Sequence, residues 1–316
     1  MTTSSTLSRR AFLSHTAGMG AAALAASHAW PRSAPADEPA AAAEGWQIGC
    51  YTRPWSHLEY REALDAIAEA GFKYAGLMTT PAPRRLVMPA STTLEEAQQI
   101  GEEAKKRGLT LVSNYGGGIG VAKSLEDGID DMKRLIDACH AANCPSLLMG
   151  GISNENLFDA YYKAIAETCG YAAEKGVEIA LKPHGGLNAT GPQCRKCVEL
   201  VGHENFRVWY DPGNVFFYSH GELDPVDDAP TLDGLVTGMC VKDFNMSVQD
   251  DKPVREVAIT PGTGRVDFPA LMAKLKQGGF TSGPLVIETL ARSDDPAVLL
   301  AEARKAKAFL EQLVRG

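Results

Sequence analysis

The chain has no excess of basic residues: 31 Lys and Arg stand against 39 Asp and Glu in 316 residues, a formal net charge of -8. A surface that gathers nucleic acid needs positive charge, so no nucleic-acid partner is expected. Long apolar runs are absent too. The small-residue stretch from Ala17 to about Ala26 is too short to cross a bilayer as a stable helix. There is no second C-x-x-C to accompany Cys194 and Cys197, whereas a zinc ribbon needs four ligands. The seven cysteines, at positions 50, 139, 144, 169, 194, 197 and 240, are not spaced as a disulfide framework. Cys194 and Cys197 are therefore expected to pack within a helix. Gly116-Gly117-Gly118-Ile119-Gly120 has neither the Lys-Ser/Thr of a phosphate loop nor the spacing of a dinucleotide fingerprint, so no nucleotide cofactor is expected.

What is present begins with Ser8-Arg9-Arg10-Ala11-Phe12-Leu13, a twin-arginine pattern followed by the short apolar stretch and an Ala/Pro-rich linker. We read residues 1–36 as a twin-arginine signal peptide, 37–45 as a disordered linker and 46–316 as one domain. The expected location is periplasmic, or otherwise exported, with no membrane contact once the signal is removed. Cleavage after Ala29 or after Ala36 would suit the sequence equally.

From residue 46 onward, short apolar runs alternate with helical patterns. Eight strand candidates stand out: Trp46 to Tyr51, Tyr74 to Met78, Thr110 to Asn114, Ser146 to Met149, Glu178 to Lys182, Arg207 to Asp211, Thr237 to Lys242, and Pro284 to Glu288. Leu157, Tyr161, Ile165 and Cys169 recur every four residues, and Leu299, Ala303, Ala306, Leu310 and Leu313 alternate spacings of four and three. Both are core-facing stripes of amphipathic helices. Glycines close several helices just ahead of a strand, as in Arg107-Gly108-Leu109 and Lys175-Gly176-Val177. Eight β-then-α units without a long interruption predict a single α/β domain, a (β/α)8 TIM barrel. An open doubly wound sheet is the competitor, but it usually carries a Gly-rich loop after its first strand, and Thr52-Arg53-Pro54-Trp55 is not one.

Active sites of such barrels form at the C-terminal strand ends, and polar residues there need a reason because buried charge is costly unless compensated. The fifth strand ends in Lys182-Pro183-His184, the sixth in Asp211-Pro212-Gly213-Asn214, the seventh in Cys240-Val241-Lys242 and the eighth in Glu288. Side chains alternate along a strand. If the charged member faces inward each time, Lys182, Asp211, Lys242 and Glu288 ring one cavity mouth. Trp55, Tyr115 and Trp209 are candidate ligand-stacking surfaces, or ordinary aromatic packing. Asp267 has the look of a helix N-cap ahead of Phe268-Pro269.

The sixth-strand Tyr210-Asp211-Pro212-Gly213-Asn214, the seventh-strand Val241-Lys242-Asp243, and Pro261-Gly262-Thr263-Gly264-Arg265-Val266-Asp267-Phe268-Pro269 occur in order. They are followed by Leu275-Lys276-Gln277-Gly278-Gly279-Phe280 and by Gly283 to Glu288. In these stretches the chain resembles the xylose isomerase-like barrels, the superfamily of sugar isomerases, sugar epimerases and endonuclease IV-type enzymes. The resemblance runs over roughly residues 46 to 314 and is weaker in the first third. It implies a divalent metal held by Glu, Asp, His and Glu from strands five to eight. Asp211 and Glu288 match two of these positions, but Lys182 stands at the strand-five Glu and Cys240 at the strand-seven His. Two readings stay open. Lys182 pairs with both carboxylates and takes the cation's place, or His184 rebuilds a site for Mn, Zn or Mg with Asp211, Glu288 and water. Soft Cys240 would suit zinc better than magnesium, or it simply packs.

The resemblance implies a small-molecule carbohydrate substrate and a sugar isomerase or epimerase that abstracts a proton beside a carbonyl. Glu288 is the expected base, Lys182 or a metal the oxyanion stabiliser, and His184 a proton shuttle or ligand. Asn214 and Lys242 are expected to bind hydroxyls. A lyase on keto-sugars or keto-glycosides would use the same carbanion chemistry, and a sugar-binding barrel without turnover would tolerate the broken ligand set. An endonuclease would need a richer metal cluster than five histidines outside the first 36 residues provide. Export is checked by changing Arg9→Lys together with Arg10→Lys. The precursor is expected to remain in the cytoplasmic fraction, and normal periplasmic recovery would refute the assignment.

Overall fold

The computed structural model describes residues 45–315. The Arg9-Arg10 pattern, and the linker apart from Gly45, lie outside the described residues. The barrel half of the pattern runs β1 (Trp46–Tyr51), α1 (Tyr60–Glu69), β2 (Tyr74–Leu77), α2 (Leu94–Lys106), β3 (Thr110–Tyr115), α3 (Leu125–Ala141), β4 (Ser146–Met149) and α4 (Phe158–Glu174). It continues with β5 (Glu178–Leu181), α5 (Gly191–Val201), β6 (Phe206–Tyr210), α6 (Pro212–Tyr218), α7 (Pro225–Asp228) and β7 (Val236–Val241). Then come β8 (Asn245–Gln249), β9 (Lys252–Glu256), α8 (Phe268–Gln277), β10 (Gly283–Ile287) and α9 (Pro296–Arg315). Eight of the strands close into a parallel barrel in the order β1-β10-β7-β6-β5-β4-β3-β2. The (β/α)8 expectation holds, and each expected strand is found within one or two residues of its ends.

Local chemistry explains the element ends. Thr93 and Glu96 form a reciprocal capping box at the start of α2, and Asp267 accepts from the Ala270 N–H at the start of α8. Beyond α2 and α4, Gly108 and Gly176 both take φ of 69°, the left-handed conformation that lets the chain turn back into a strand. Tyr161, Ile165 and Cys169 of α4 and Leu299, Ala303, Ala306 and Leu310 of α9 are buried in the layer between helices and barrel. Cys194 and Cys197 are free thiols buried on α5, as helix packing requires. Among the described residues, no helix is long and apolar enough to cross a membrane.

One insertion departs from the expected repeat. β8 and β9 form an antiparallel hairpin between β7 and α8, turning at Asp250 and Asp251, which both adopt positive φ. Arg255 of this hairpin donates to the Phe217 carbonyl and lies 4.7 Å over the Phe217 ring, fastening the hairpin to α6. Its first strand is solvent-exposed throughout and carries no apolar run, which is why periodicity did not reveal it.

Inside the barrel a second cluster packs: Tyr51, Met78, Val112, Leu148, Ala180, Trp209, Cys240 and Val286. Strand alternation then fixes what comes next. Two residues beyond Ala180, Trp209, Cys240 and Val286 stand Lys182, Asp211, Lys242 and Glu288, on the same inward face. Trp209 fills the barrel interior beneath this charged layer, where its Nε1 donates to Glu178 at 3.4 Å. Gly238 on neighbouring β7 makes room for it: a Cβ there would lie 2.4 Å from the indole. Gly238→Ala is therefore expected to lower stability by about 1–3 kcal/mol through overpacking. Chemical denaturation of purified protein checks this, and an unchanged midpoint would contradict the placement of the indole.

Candidate active site

The β5, β6, β7 and β10 ends deliver four charged side chains to one place. The backbone N–H groups of Lys182 and Glu288 still donate across the barrel ladder, to Met149 and Val241, so both residues are held rigidly at their strand ends. Asp211 is also the N-cap of α6: its Oδ1 accepts from the Asn214 N–H at 3.0 Å, and Pro212 opens the helix. That leaves Oδ2 for the cavity. Asp243, next to Lys242, accepts from the backbone N–H groups of Phe244, Gly262, Gly264 and Val266. The Val-Lys-Asp and Pro-Gly-Thr-Gly stretches are thus two halves of one anchored loop.

The four side chains form a closed ion cluster. Lys182 Nζ lies 2.6 Å from Glu288 Oε2 and 3.4 Å from Asp211 Oδ2. Lys242 Nζ lies 2.9 Å from Glu288 Oε1 and 3.0 Å from Asp211 Oδ2, and it also donates to Asn214 Oδ1 at 3.0 Å. Arg53, from the loop after β1, adds a guanidinium on Glu288 Oε1. Lys182, Asp211, Lys242 and Glu288 are all buried, whereas the Arg53 side chain is 39 % exposed. Burial raises the Glu288 carboxyl, but Lys182, Lys242 and Arg53 together hold it well below its ordinary value. Burial holds the Asp211 carboxyl above its ordinary value, with Lys242 and Lys182 opposing. Burial likewise works against the Lys182 ammonium, yet Glu288 and Asp211 outweigh it and raise its pKa, so the amine stays charged.

The two lysines differ in their surroundings. An ammonium has three N–H groups. Lys242 donates to Asp211 and Asn214 and lies 2.9 Å from Glu288 Oε1 as an ion pair. Lys182 meets two carboxylates, and its third N–H has no acceptor among the described residues; Nζ sits 5.6 Å from the centre of the Tyr115 ring. His184 lies beside the same ring, at 6.2 Å between centroids, and 6.0 Å from Tyr218. Burial first, then Lys182 and Lys242, push His184 down to about 3, so its imidazole is neutral.

Several sequence expectations change here. Glu288 at the centre of three cations is a weak base, because each stabilises its ionised form. Asn214 and Lys242 are committed to the scaffold, Asn214 also donating to the Pro183 carbonyl at 2.8 Å. Trp209 is enclosed within the barrel and Trp55 within the outer core, so neither offers a face to a sugar, while Tyr115 does border the site. Arg53 escaped notice: it stands in the stretch read only as not being a nucleotide loop, and the one hint was a charge directly after a strand end.

A divalent cation can be tested against this geometry. Asp211, Cys240 and Glu288 place ligand-type atoms within 4.8 Å of one another, and His184 is not part of that group. Burial pushes the Cys240 thiol up, which disfavours the thiolate that metals take. Both carboxylates are already bridged by two ammonium groups, and a divalent ion about 2.0–2.6 Å from their oxygens would share that space with like charges. The residues present do not fit a divalent ion; of the two open readings, the geometry supports Lys182 in the cation's place. Lys182→Met should cost about 3–5 kcal/mol, because it strands buried carboxylate charge. Lys182→Glu removes one amine and adds an acid, and should create affinity for Mn or Zn that the unaltered protein lacks. Calorimetric titration with both ions is the measurement, and tight binding by the unaltered protein would overturn the charge argument.

Comparison with known proteins gives the following. A family model described as xylose isomerase-like TIM barrel matches residues 64–313. No curated protein sequence matches. Among solved structures, a xylose isomerase domain protein from Planctomyces limnophilus is 19% identical with a TM-score of 0.66, covering 85% of this chain and 97% of its own. A xylose isomerase-like TIM barrel protein from Mycobacterium smegmatis in complex with magnesium is 14% identical with a TM-score of 0.70, covering 86% and 98%. A D-allulose 3-epimerase from Methylomonas sp. in complex with D-allulose is 16% identical with a TM-score of 0.63, covering 85% and 97%.

Proposed function

The chain belongs to the xylose isomerase-like TIM barrel family, and from that premise we propose that it is a sugar isomerase or epimerase working by proton abstraction beside a carbonyl, with fixed ammonium groups where relatives hold a metal. The observation that carries this reading is the Lys182 ammonium, held between Glu288 and Asp211 with one N–H uncommitted at the barrel mouth. An enediolate needs a preorganised positive group at its developing oxyanion, and a charge fixed in a water-poor site provides it without reorganisation. Lys182 fills that role, with Glu288 and Asp211 keeping it protonated and aimed.

His184 receives the proton. As the C–H bond breaks, its electron pair moves into the carbon–carbon bond of the enediolate, and the carbonyl oxygen takes the negative charge beside Lys182. That charge offsets the lysines that depress His184, so the imidazole gains basicity as the transition state forms. Return of a proton to the opposite face of the same carbon gives the epimer, and return to the neighbouring carbon, with the hydroxyl proton passing to the other oxygen, gives the isomer. The fold shared with a D-allulose 3-epimerase supports a small carbohydrate as substrate. The twin-arginine pattern supports export of the domain, and with it a sugar met outside the cytoplasm.

Deuterium exchange from solvent into the carbon-bound hydrogens of aldoses and ketoses, followed by proton NMR, tests the reading. The unaltered protein is expected to exchange at one position of its substrate, equally fast with and without EDTA. Lys182→Met and His184→Gln are each expected to lower the rate by at least about 100-fold, the scale on which an oxyanion donor or a general base contributes. Binding without exchange for every sugar tried would favour a non-catalytic sugar-binding barrel, and loss of exchange in EDTA would refute the metal-free mechanism.

A further inference from the structure

The ion cluster does not balance. Two buried carboxylates, Asp211 and Glu288, face three cations, Lys182, Lys242 and Arg53. The cation in excess is also the one that reaches outward. Arg53 lines a cavity of about 430 Å³ that opens above Glu288, together with His57, Thr289, Arg292, Ser293 and Asp294. That volume falls in the range of small-molecule sites. On its rim Arg292 and Asp294 are of opposite sign and offset each other, so the surplus comes from the floor. Only one Nη of Arg53 is engaged, on Glu288; its Nε and other Nη have no acceptor among the described residues. A guanidinium offers donors in a flat fork that matches a carboxylate, and here half of that fork faces the cavity.

Glu288 links this cavity to the reacting end of the site. Its Oε1 takes Arg53 and its Oε2 takes Lys182, so the two cationic heads flank a single carboxylate. A ligand bearing a carboxylate would place it on Arg53 in this cavity, on the other side of Glu288 from Lys182. It would also bring the missing negative charge. A neutral sugar satisfies neither demand. We infer that the substrate is a sugar acid, a hexuronate, and that Arg53 is the residue that selects it by its carboxylate. This rests on the carbohydrate reading above.

The test is calorimetric binding of matched pairs, D-glucuronate with D-glucose, D-galacturonate with D-galactose and D-mannuronate with D-mannose, and succinate as a carboxylate without a sugar. At least one hexuronate is expected to bind ten-fold or more tightly than its hexose. Arg53→Ala should bring that hexuronate to within about two-fold of the hexose, and Arg53→Lys should restore part of the difference. Circular dichroism melting confirms that both variants fold. Equal affinity within every pair, a hexuronate preference that survives Arg53→Ala undiminished, or no hexuronate binding would overturn the inference. Succinate binding as tightly as the best hexuronate would refute the sugar part of the selection. Arg53-dependent hexuronate binding without solvent exchange would keep the substrate class and refute the isomerase chemistry, so the two failures can be told apart.

Discussion

Bridging of Glu288 and Asp211 by two buried ammonium groups is the constraint on which the rest of the site depends. Two acids enclosed at a barrel mouth repel each other unless positive charge lies between them, and removing any member leaves charge that water cannot reach. Each member is therefore over-determined. Asp211 is tied by its N-cap role to α6, Lys242 by Asn214, and Lys182 and Glu288 by ladder hydrogen bonds that continue past their strands. The loop from Pro261 to Val266 is fastened by Asp243, immediately after Lys242. What the fold preserves is a fixed electrostatic centre.

That centre reassigns the chemical roles. In a site built on carboxylates alone, a glutamate at the end of the eighth barrel strand is free to act as base or ligand. Here Arg53, Lys182 and Lys242 surround Glu288, and the same contacts that make it a strong partner make it a weak base. On the proposed reading proton transfer passes to His184, which burial first and then the lysines keep neutral. A positive centre made of side chains also differs from one made by an exchangeable ion, because it is covalently part of the protein and cannot be removed by chelation. Its charge is set by the count of cations and acids, three against two once Arg53 is included.

Much of this was legible before any coordinates. Strand ends could be located because apolar runs stop at Lys182-Pro183, Asp211-Pro212 and Glu288, and period-two alternation put the charges on the face opposite the outer core. Alternation put Lys182, Asp211, Lys242 and Glu288 around one mouth; whether Lys182 paired with the carboxylates or His184 rebuilt a metal site stayed open. Other features were not readable. The hairpin from Asn245 to Glu256 is exposed on its first strand and has no hydrophobic rhythm. Trp209 reads as a mouth aromatic beside Asp211, but one step along a strand reverses the face and two steps change the layer, which sets its ring inside the barrel. Arg53 lies 235 positions from Glu288, and nothing local to either residue announces the contact.

The sequence by itself determined the repeat of strand and helix, the stripes that bind helices to the barrel, the cap at Asp267, and the charged residues at the strand ends. These are local properties, governed by periodicity of 2.0 and 3.6 residues and by side chains that satisfy their own backbone. Only the tertiary structure decided which cations share which carboxylate, that Lys242 is tied to Asn214 while Lys182 stands by Tyr115, and that Arg53 stands above Glu288 at the edge of a cavity. The reason is closure. Bringing β1 beside β10 and β10 beside β7 joins residues from opposite ends of the chain, and the electrostatics of a buried charge depend on those neighbours in space.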